Sequence, residues 1–81
     1  MIKLYYKDGC GNCSKVKVIL QAYGIKYEPI NLSEPDKREE RRKIREVGVR
    51  LLPIIMLEDG KMITECNEES IIAHIRYGDI K

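Results

Sequence analysis

The sequence contains no tryptophan and no phenylalanine, and it has one histidine and three prolines in 81 residues. It also contains no apolar run near the roughly 20 residues that a membrane-spanning helix requires. No signal peptide is expected, because the chain enters a predicted strand at once. The formal net charge of +2 is too small to indicate a nucleic-acid or membrane partner.

Cysteine is scarce, with three copies, and an odd number is a poor structural disulfide framework. Two of the three form the motif Cys10-Gly11-Asn12-Cys13, which suits a reducing compartment. We therefore expect a cytoplasmic protein with a transient disulfide. The length, with 43% hydrophobic and 35% charged residues, predicts one globular domain over residues 1–81.

The first half of the chain predicts a βαβ unit. Hydrophobic alternation indicates a strand at residues 2–6, and a helix follows from about Cys10 to a C-cap at Gly24. Its inner face is expected to carry Cys13, Val16, Ile19 or Leu20, and Tyr23. The strand at residues 27–32 is expected at a sheet edge, because it contains a proline.

The second half of the sequence predicts a helix, then a β-hairpin and a last helix. Ser33 and the proline and acids after it indicate a helix from residue 33 to about 47, whose mixed charges favour a solvated face. Strands at 53–57 and 61–65 flank an Asp-Gly hairpin turn. Asn67 is expected to cap a helix at 68–77, with an inner face of Ile71, Ile72 and Ile75. The predicted order is β-α-β-α-β-β-α.

The chemistry of the motif follows from its place at the start of a helix. Unpaired amide N–H groups and the helix dipole favour a thiolate on Cys10, and the thiolate is the attacking species in disulfide exchange. Cys13 lies one turn later on the same face and can close a short disulfide ring. Cys10 and Cys13 are therefore the predicted catalytic residues of a dithiol redox centre.

This motif on this order of elements resembles the smallest form of the thioredoxin fold. The whole chain is similar to the glutaredoxin family, which includes the small redoxins that reduce ribonucleotide reductase. The resemblance implies an α/β thioredoxin-like fold with a four-stranded mixed sheet, and reduction of protein or glutathione mixed disulfides. It also implies glutathione as co-substrate without a tightly bound cofactor, and ribonucleotide reductase as one possible partner. A monomer is expected. Thioredoxins proper are longer and carry an active-site tryptophan that this chain lacks.

Three further positions match the family pattern. Lys7 stands three residues before the first active-site cysteine, where a cation stabilises a thiolate. Leu52 and Pro53 stand where the family has a valine and a cis-proline that faces the disulfide, and the preceding backbone is left to pair with substrate. Cys66 and Asn67 stand at the start of the last helix, where family members hold a carboxylate of glutathione on backbone N–H groups.

Departures from the pattern leave the reductant open. Gly11-Asn12 replaces a proline–tyrosine pair, and Thr64-Glu65 replaces a glycine pair, so that a glutamate weakens carboxylate binding. The terminal serine–glycine–phenylalanine pattern of the ribonucleotide-reductase redoxins is absent. Thioredoxin reductase is therefore the alternative to glutathione. The predicted substrate-binding residues are Lys7, Gly11, Asn12, Arg50, Leu52, Pro53, Cys66 and Asn67.

An alternative from another class is a metal or iron–sulfur scaffold. Cys-x-x-Cys is also a zinc spacing, which Cys66 and His74 could complete, although structural zinc sites usually repeat the close pair. Cys66 itself has two interpretations, a small buried hydrophobe or a site of glutathionylation or regulation. His74 is interpreted as a surface or packing residue, because no Asp or Ser partners it at a recognisable spacing.

Overall fold

The computed structural model describes residues 1–48, 52–64 and 66–80. Within these residues, the predicted order of strands and helices is confirmed. The elements are β1 (Ile2–Tyr6), α1 (Gly11–Ala22), β2 (Tyr27–Asn31), α2 (Arg38–Val47), β3 (Ile54–Met56), β4 (Met62–Ile63) and α3 (Glu68–Arg76). No helix in this part of the chain combines the length and apolarity that crossing a bilayer requires.

The strands form one mixed sheet in the order β2-β1-β3-β4, as the resemblance implies. β1 pairs with β2 in parallel and with β3 antiparallel, so that Leu4 lies between Pro29 and Ile55. Pro29 is tolerated because β2 is an edge strand. The β3–β4 hairpin turns at Gly60, whose φ of 91° lies in the left-handed region that favours glycine.

Helices cover both faces of this sheet, because alternate strand residues point to opposite sides. Ile2, Leu4 and Ile55 pack with α1 and α3, where Val16, Leu20 and Ile71 are 0–1% exposed. The opposite face packs against α2 through Tyr5, Ile30, Leu32, Ile44 and Ile54. Burying such side chains contributes roughly 1.5–3 kcal/mol each, which holds α1 and α3 firmly over one face.

One prediction about the core faces is wrong, and one core residue is not anticipated by the sequence pattern. Tyr23 is not an inner residue: it is the C-cap of α1 and is 49% exposed, because α1 ends at Ala22 and Gly24 turns the chain away. Conversely, Ile80 lies beyond the last helix and is 2% exposed in the core cluster, a position that helical periodicity does not reach. Ile72 and Ile75 are half-buried.

The predicted start of α2 is also wrong: the prediction places the N-cap at Ser33, whereas the N-cap is Lys37, four residues later. The helix begins at Arg38, and its N-cap Lys37 makes no side-chain capping hydrogen bond. The Ser33 hydroxyl instead accepts a hydrogen bond from the Asp8 amide at 3.0 Å. Arg41 donates to the carbonyls of Leu32 and Glu34 at 2.8 and 2.7 Å, which satisfies the turn without a helix. Ser33 therefore fixes the loop before α1 and does not cap α2.

Candidate active site

The strand pairing brings Cys10 and Pro53 to the same end of the sheet. β1 ends at Tyr6 and leads through an exposed loop to α1, and β3 runs antiparallel to β1, so that Tyr5 is paired with Ile54. The residue before Ile54 therefore lies beside the start of α1. The Cys10 Sγ is 3.8 Å from the carbonyl oxygen of Leu52, although the two residues are 42 positions apart.

Cys10 is the N-cap of α1. Its backbone is extended (φ −90°, ψ 109°), and its Sγ accepts a hydrogen bond from the Cys13 amide N–H at 3.2 Å. A sulfur in this position receives both a donated N–H and the positive end of the helix dipole, and both favour the thiolate over the thiol in the reduced protein. The N-cap position of Cys10 therefore favours a nucleophilic sulfur there once the disulfide is reduced.

Cys10 and Cys13 are joined by a disulfide, with 5.3 Å between their Cα atoms. Their accessibility differs: Cys10 is half-exposed, whereas Cys13 is 2% exposed on the inner face of α1. An incoming disulfide can therefore reach the sulfur of Cys10 but not that of Cys13. This geometry fits an attacking and a resolving thiol.

Next to Cys10, the Leu52–Pro53 peptide bond is cis, as the resemblance implies. Pro53 is buried and Leu52 is half-buried. Proline lacks an amide N–H, so the backbone nitrogen of Pro53 needs no hydrogen-bond acceptor there.

Five of the eight predicted substrate-binding residues line two depressions beside the motif. Lys7 and Leu52 line one, with a volume of about 610 Å³, which we call the basic groove. Asn12, Cys66 and Asn67 line the other, of about 380 Å³, which we call the α3 depression. Gly11 is exposed, and a Cβ there would meet no atom within 4 Å. Arg50 and Glu65 lie outside the described residues.

The α3 depression is unfavourable for binding a ligand carboxylate. Asn67 is the N-cap of α3, and its Oδ1 already accepts the Ser70 amide at 2.9 Å. Glu68 and Glu69 follow in the first turn and line the depression, against one cation, Lys15. Acidic side chains there stabilise the helix dipole but repel a bound anion.

Cys66 is a buried thiol at the start of α3. It is 7% exposed, and its Sγ–H donates to the carbonyl oxygen of Ile63 at 3.2 Å. Burial raises the pKa of Cys66 to about 11, and the backbone of Ile55 offsets part of that rise. Cys66 is therefore a protonated structural thiol at neutral pH, which agrees with the first of its two interpretations.

The structure also reveals partners that the sequence analysis missed. Arg41 and Arg45 line the basic groove, and their i,i+4 spacing on α2 was the available signal. His74 Nδ1 lies 3.0 Å from Asp79 Oδ2, a contact that follows from the chain reversal after α3. In the described part of the chain, no three His, Cys, Asp or Glu side chains are grouped to hold a metal ion.

Comparison with protein families matches the chain over residues 2–63 to the family described as Glutaredoxin. A glutaredoxin-like protein NrdH of Lactococcus lactis is 34% identical over 59 residues, which cover 73% of this chain and 79% of the relative. An N-acetyl-S-hydroxy-L-cysteine reductase of Bacillus subtilis is 30% identical over 84 aligned positions, which cover 99% of this chain and 89% of the relative.

Solved structures agree with the fold. The chain superposes on the NrdH-redoxin of Escherichia coli with a TM-score of 0.71 at 25% identity, covering 89% of this chain and 91% of that one. It superposes on a buckwheat glutaredoxin–glutathione complex with a TM-score of 0.70 at 29% identity, covering 96% of this chain and 70% of that one. The thioredoxin-like fold inferred from the order of elements is therefore confirmed.

Proposed function

Because this chain belongs to the glutaredoxin family and is a thiol–disulfide oxidoreductase, we propose that it reduces protein disulfides through Cys10 as nucleophile and Cys13 as resolving thiol. The observation that carries this proposal is the difference between the two sulfurs. Cys10 is accessible and receives the Cys13 amide at 3.2 Å, whereas Cys13 is 2% exposed. The Cys10 thiol is thus activated and accessible to substrate, and the buried Cys13 thiol can react only with Cys10.

The proposed cycle transfers two electrons. The Cys10 thiolate attacks one sulfur of the substrate disulfide, that S–S bond breaks, and the released substrate thiolate takes a proton from solvent. Cys13 then loses its proton to solvent, and its thiolate attacks Cys10 Sγ and displaces the second substrate sulfur as a thiolate, which solvent protonates. The substrate gains two electrons and two protons, and the protein is left with the Cys10–Cys13 disulfide.

For the reductant, we favour a flavin-dependent reductase of the thioredoxin reductase type over glutathione. Two observations support this choice. The start of α3 carries Glu68 and Glu69 beside an Asn67 cap that is already occupied. The related NrdH-redoxin of Escherichia coli is described as having a thioredoxin-like activity profile. Ribonucleotide reductase is the candidate protein substrate, by similarity to the NrdH redoxins, in a cytoplasmic setting.

A second candidate substrate is a small sulfenic acid. The Bacillus subtilis reductase aligns over 99% of this chain, which includes α3, whereas the family match ends at residue 63. In that reaction the Cys10 thiolate would attack the sulfur of an S-hydroxy thiol and form a mixed disulfide. The leaving hydroxide takes a proton and departs as water, and Cys13 resolves the mixed disulfide as before.

Two cysteine variants test the proposed roles. Cys10→Ser should abolish reduction of the uncharged 2-hydroxyethyl disulfide, whereas Cys13→Ser should still form a mixed disulfide that intact-mass measurement detects. Full activity of Cys10→Ser contradicts the assignment. Cys13→Ser is the matched control, because it makes the same atomic change on the same helix.

The reductant is tested by supplying glutathione with its reductase, or thioredoxin reductase, and following NADPH oxidation with the same disulfide. Turnover with the flavoenzyme and slow turnover with glutathione is the expected result. The reverse pattern rejects our choice of reductant. Adding an S-hydroxy thiol in place of the disulfide tests the second candidate.

A further inference from the structure

The basic groove lies directly beside the reacting sulfur. Leu52 links the groove to the active site, because this residue lines the groove and its carbonyl oxygen is 3.8 Å from Cys10 Sγ. The groove has a volume of about 610 Å³. Its cations and apolar residues are Lys7, Arg41, Arg45, Leu32, Ile44 and Leu52.

The positive charge of this groove is not neutralised locally. None of the described residues that line it is acidic. Arg41 donates from its Nη1 to two backbone carbonyls, which carry no formal charge and leave the charge of the guanidinium uncompensated by them. Among the described residues, Arg45 forms no ion pair, whereas its neighbour Arg42 is paired with Glu39 at 3.1 Å and Glu46 at 3.8 Å. Arg42 is thus ion-paired within the helix, whereas Arg45, one turn later, keeps an unpaired charge among the described residues, although Glu39 lines a second depression together with Arg41 and Arg45.

The α3 depression has the opposite character. Among the described residues that line it, Glu68 and Glu69 outnumber the one cation, Lys15, and Asn12 between the two cysteines reaches the same depression. The active-site motif therefore lies between a positive and a net negative surface. A substrate strand that crosses the motif meets different fields on its two sides, which gives it a preferred direction and composition.

We propose that the basic groove binds an acidic polypeptide segment next to the reacting cysteine of the protein substrate. This inference rests on the proposed function and names the kind of protein that it acts on. Carboxylates of the segment would face Lys7, Arg41 and Arg45, and its apolar side chains would pack on the groove floor of Leu32 and Ile44. A carboxylate could also come from glutathione, so the experiment separates the two sources.

The test uses a charge reversal at Arg45, which lies in the groove but does not contact the active-site cysteines. The substrates are disulfide-linked peptides in which glutamates, serines or lysines surround the cysteine. Arg45→Glu should lower kcat/KM for the glutamate peptide by about 3- to 10-fold and raise it for the lysine peptide. The loss on the glutamate peptide should exceed any change in the rate on uncharged 2-hydroxyethyl disulfide, which has no carboxylate to contact the groove.

Lys43→Glu is the matched control, because it makes the same change in net charge on the same helix. Two residues along an α-helix are separated by about 200°, so Lys43 faces away from the groove. It should leave the ranking of the three peptides unchanged. Arg45→Gln, which removes the charge without reversing it, should give an intermediate effect and serves if the reversal unfolds α2.

Ionic strength gives an independent readout. The preference of the unmodified protein for the glutamate peptide should disappear as the Debye length falls from about 30 Å at 0.01 M to about 3 Å at 1 M salt. Equal kcat/KM for the three peptides at low salt overturns the docking proposal. So does a loss of glutathione-disulfide reduction in Arg45→Glu as large as the loss on the glutamate peptide, since the groove would then bind glutathione.

These outcomes are distinct from failure of the proposed function. An unmodified protein that reduces 2-hydroxyethyl disulfide but treats the peptides alike loses the docking surface and keeps its activity. An unmodified protein that is inactive on the uncharged disulfide contradicts the oxidoreductase cycle itself, and the docking proposal falls with it.

Discussion

Cys66 is expected to be by far the slowest thiol of the reduced protein toward alkylation. Its side chain is 7% exposed, its Sγ–H is held by the Ile63 carbonyl, and burial raises its pKa to about 11. At pH 8 a thiol with that pKa is ionised in about one molecule in 1,000, against roughly one in ten for a cysteine with the ordinary pKa of 9.0. Because only the thiolate reacts, alkylation should be about 100-fold slower, and burial slows it further.

The measurement uses the Cys10→Ser/Cys13→Ser double variant, in which Cys66 is the remaining cysteine. Iodoacetamide is added at several pH values and the adduct is followed by intact mass. The rate should rise about tenfold for each pH unit up to pH 10, because the thiolate fraction does so below the pKa. The same variant unfolded in urea is the control and should react as an ordinary cysteine.

Two results would refute this reasoning. One is alkylation of the folded variant at the rate of the unfolded one at pH 8. The other is a rate that levels off near pH 9, because the Cys66 pKa would then be ordinary. Either result would favour glutathionylation or regulation at this position. The expected slow reaction means instead that Cys66 does not compete with Cys13 for the mixed disulfide.

Three other predictions follow from the same structure. Burial raises the pKa of Cys66 to about 11 and also raises the pKa of Tyr5, so the stability that the neutral Cys66 thiol contributes is fully present below about pH 9. The free energy of unfolding should fall by roughly 2 kcal/mol toward pH 11, because the thiol of the unfolded chain ionises at a lower pH than the folded one. Urea midpoints that decline as steeply with pH in Cys66→Ala would exclude Cys66 as the cause. Gly11→Pro should stabilise the reduced protein by about 0.4–1 kcal/mol in urea unfolding, because position N1 accepts proline and the preceding residue is extended; a lower midpoint would show a clash. Asn67→Ala removes the α3 cap and should cost about 1 kcal/mol, or roughly 4–8 °C in Tm, and an unchanged melting curve would count against the capping bond.

The local features of the active site could be predicted from the sequence because they depend on neighbours along the chain. Cys10 becomes an N-cap where a strand leads into an amphipathic helix, and Cys13 follows one turn later on the inner face. Pro29 places β2 at the sheet edge, and the turn at Gly60 sets the β3–β4 hairpin. In each case the relevant contact spans a few residues.

The wrong predictions arise where a residue with a local helix or surface signature instead contacts a part of the molecule that is distant in sequence. Ser33 reads as a helix cap, but the Asp8 amide uses its hydroxyl, and α2 begins at Arg38. The mixed charges of α2 read as a solvated face, which holds for the paired Arg42. The same prediction does not identify Arg45 as a groove residue, because the groove forms only when α2 packs beside Leu52 in the folded protein.

The order of the elements, the motif at the start of α1 and the nucleophilic character expected of its first sulfur follow from local signals, because periodicity and helix-end chemistry act within one or two turns. Which sulfur is reachable, which backbone lies beside it and which charges flank it depend on how the elements pack. Those properties depend on the antiparallel pairing of β1 with β3 and on the packing of α2 and α3, which join residues dozens of positions apart.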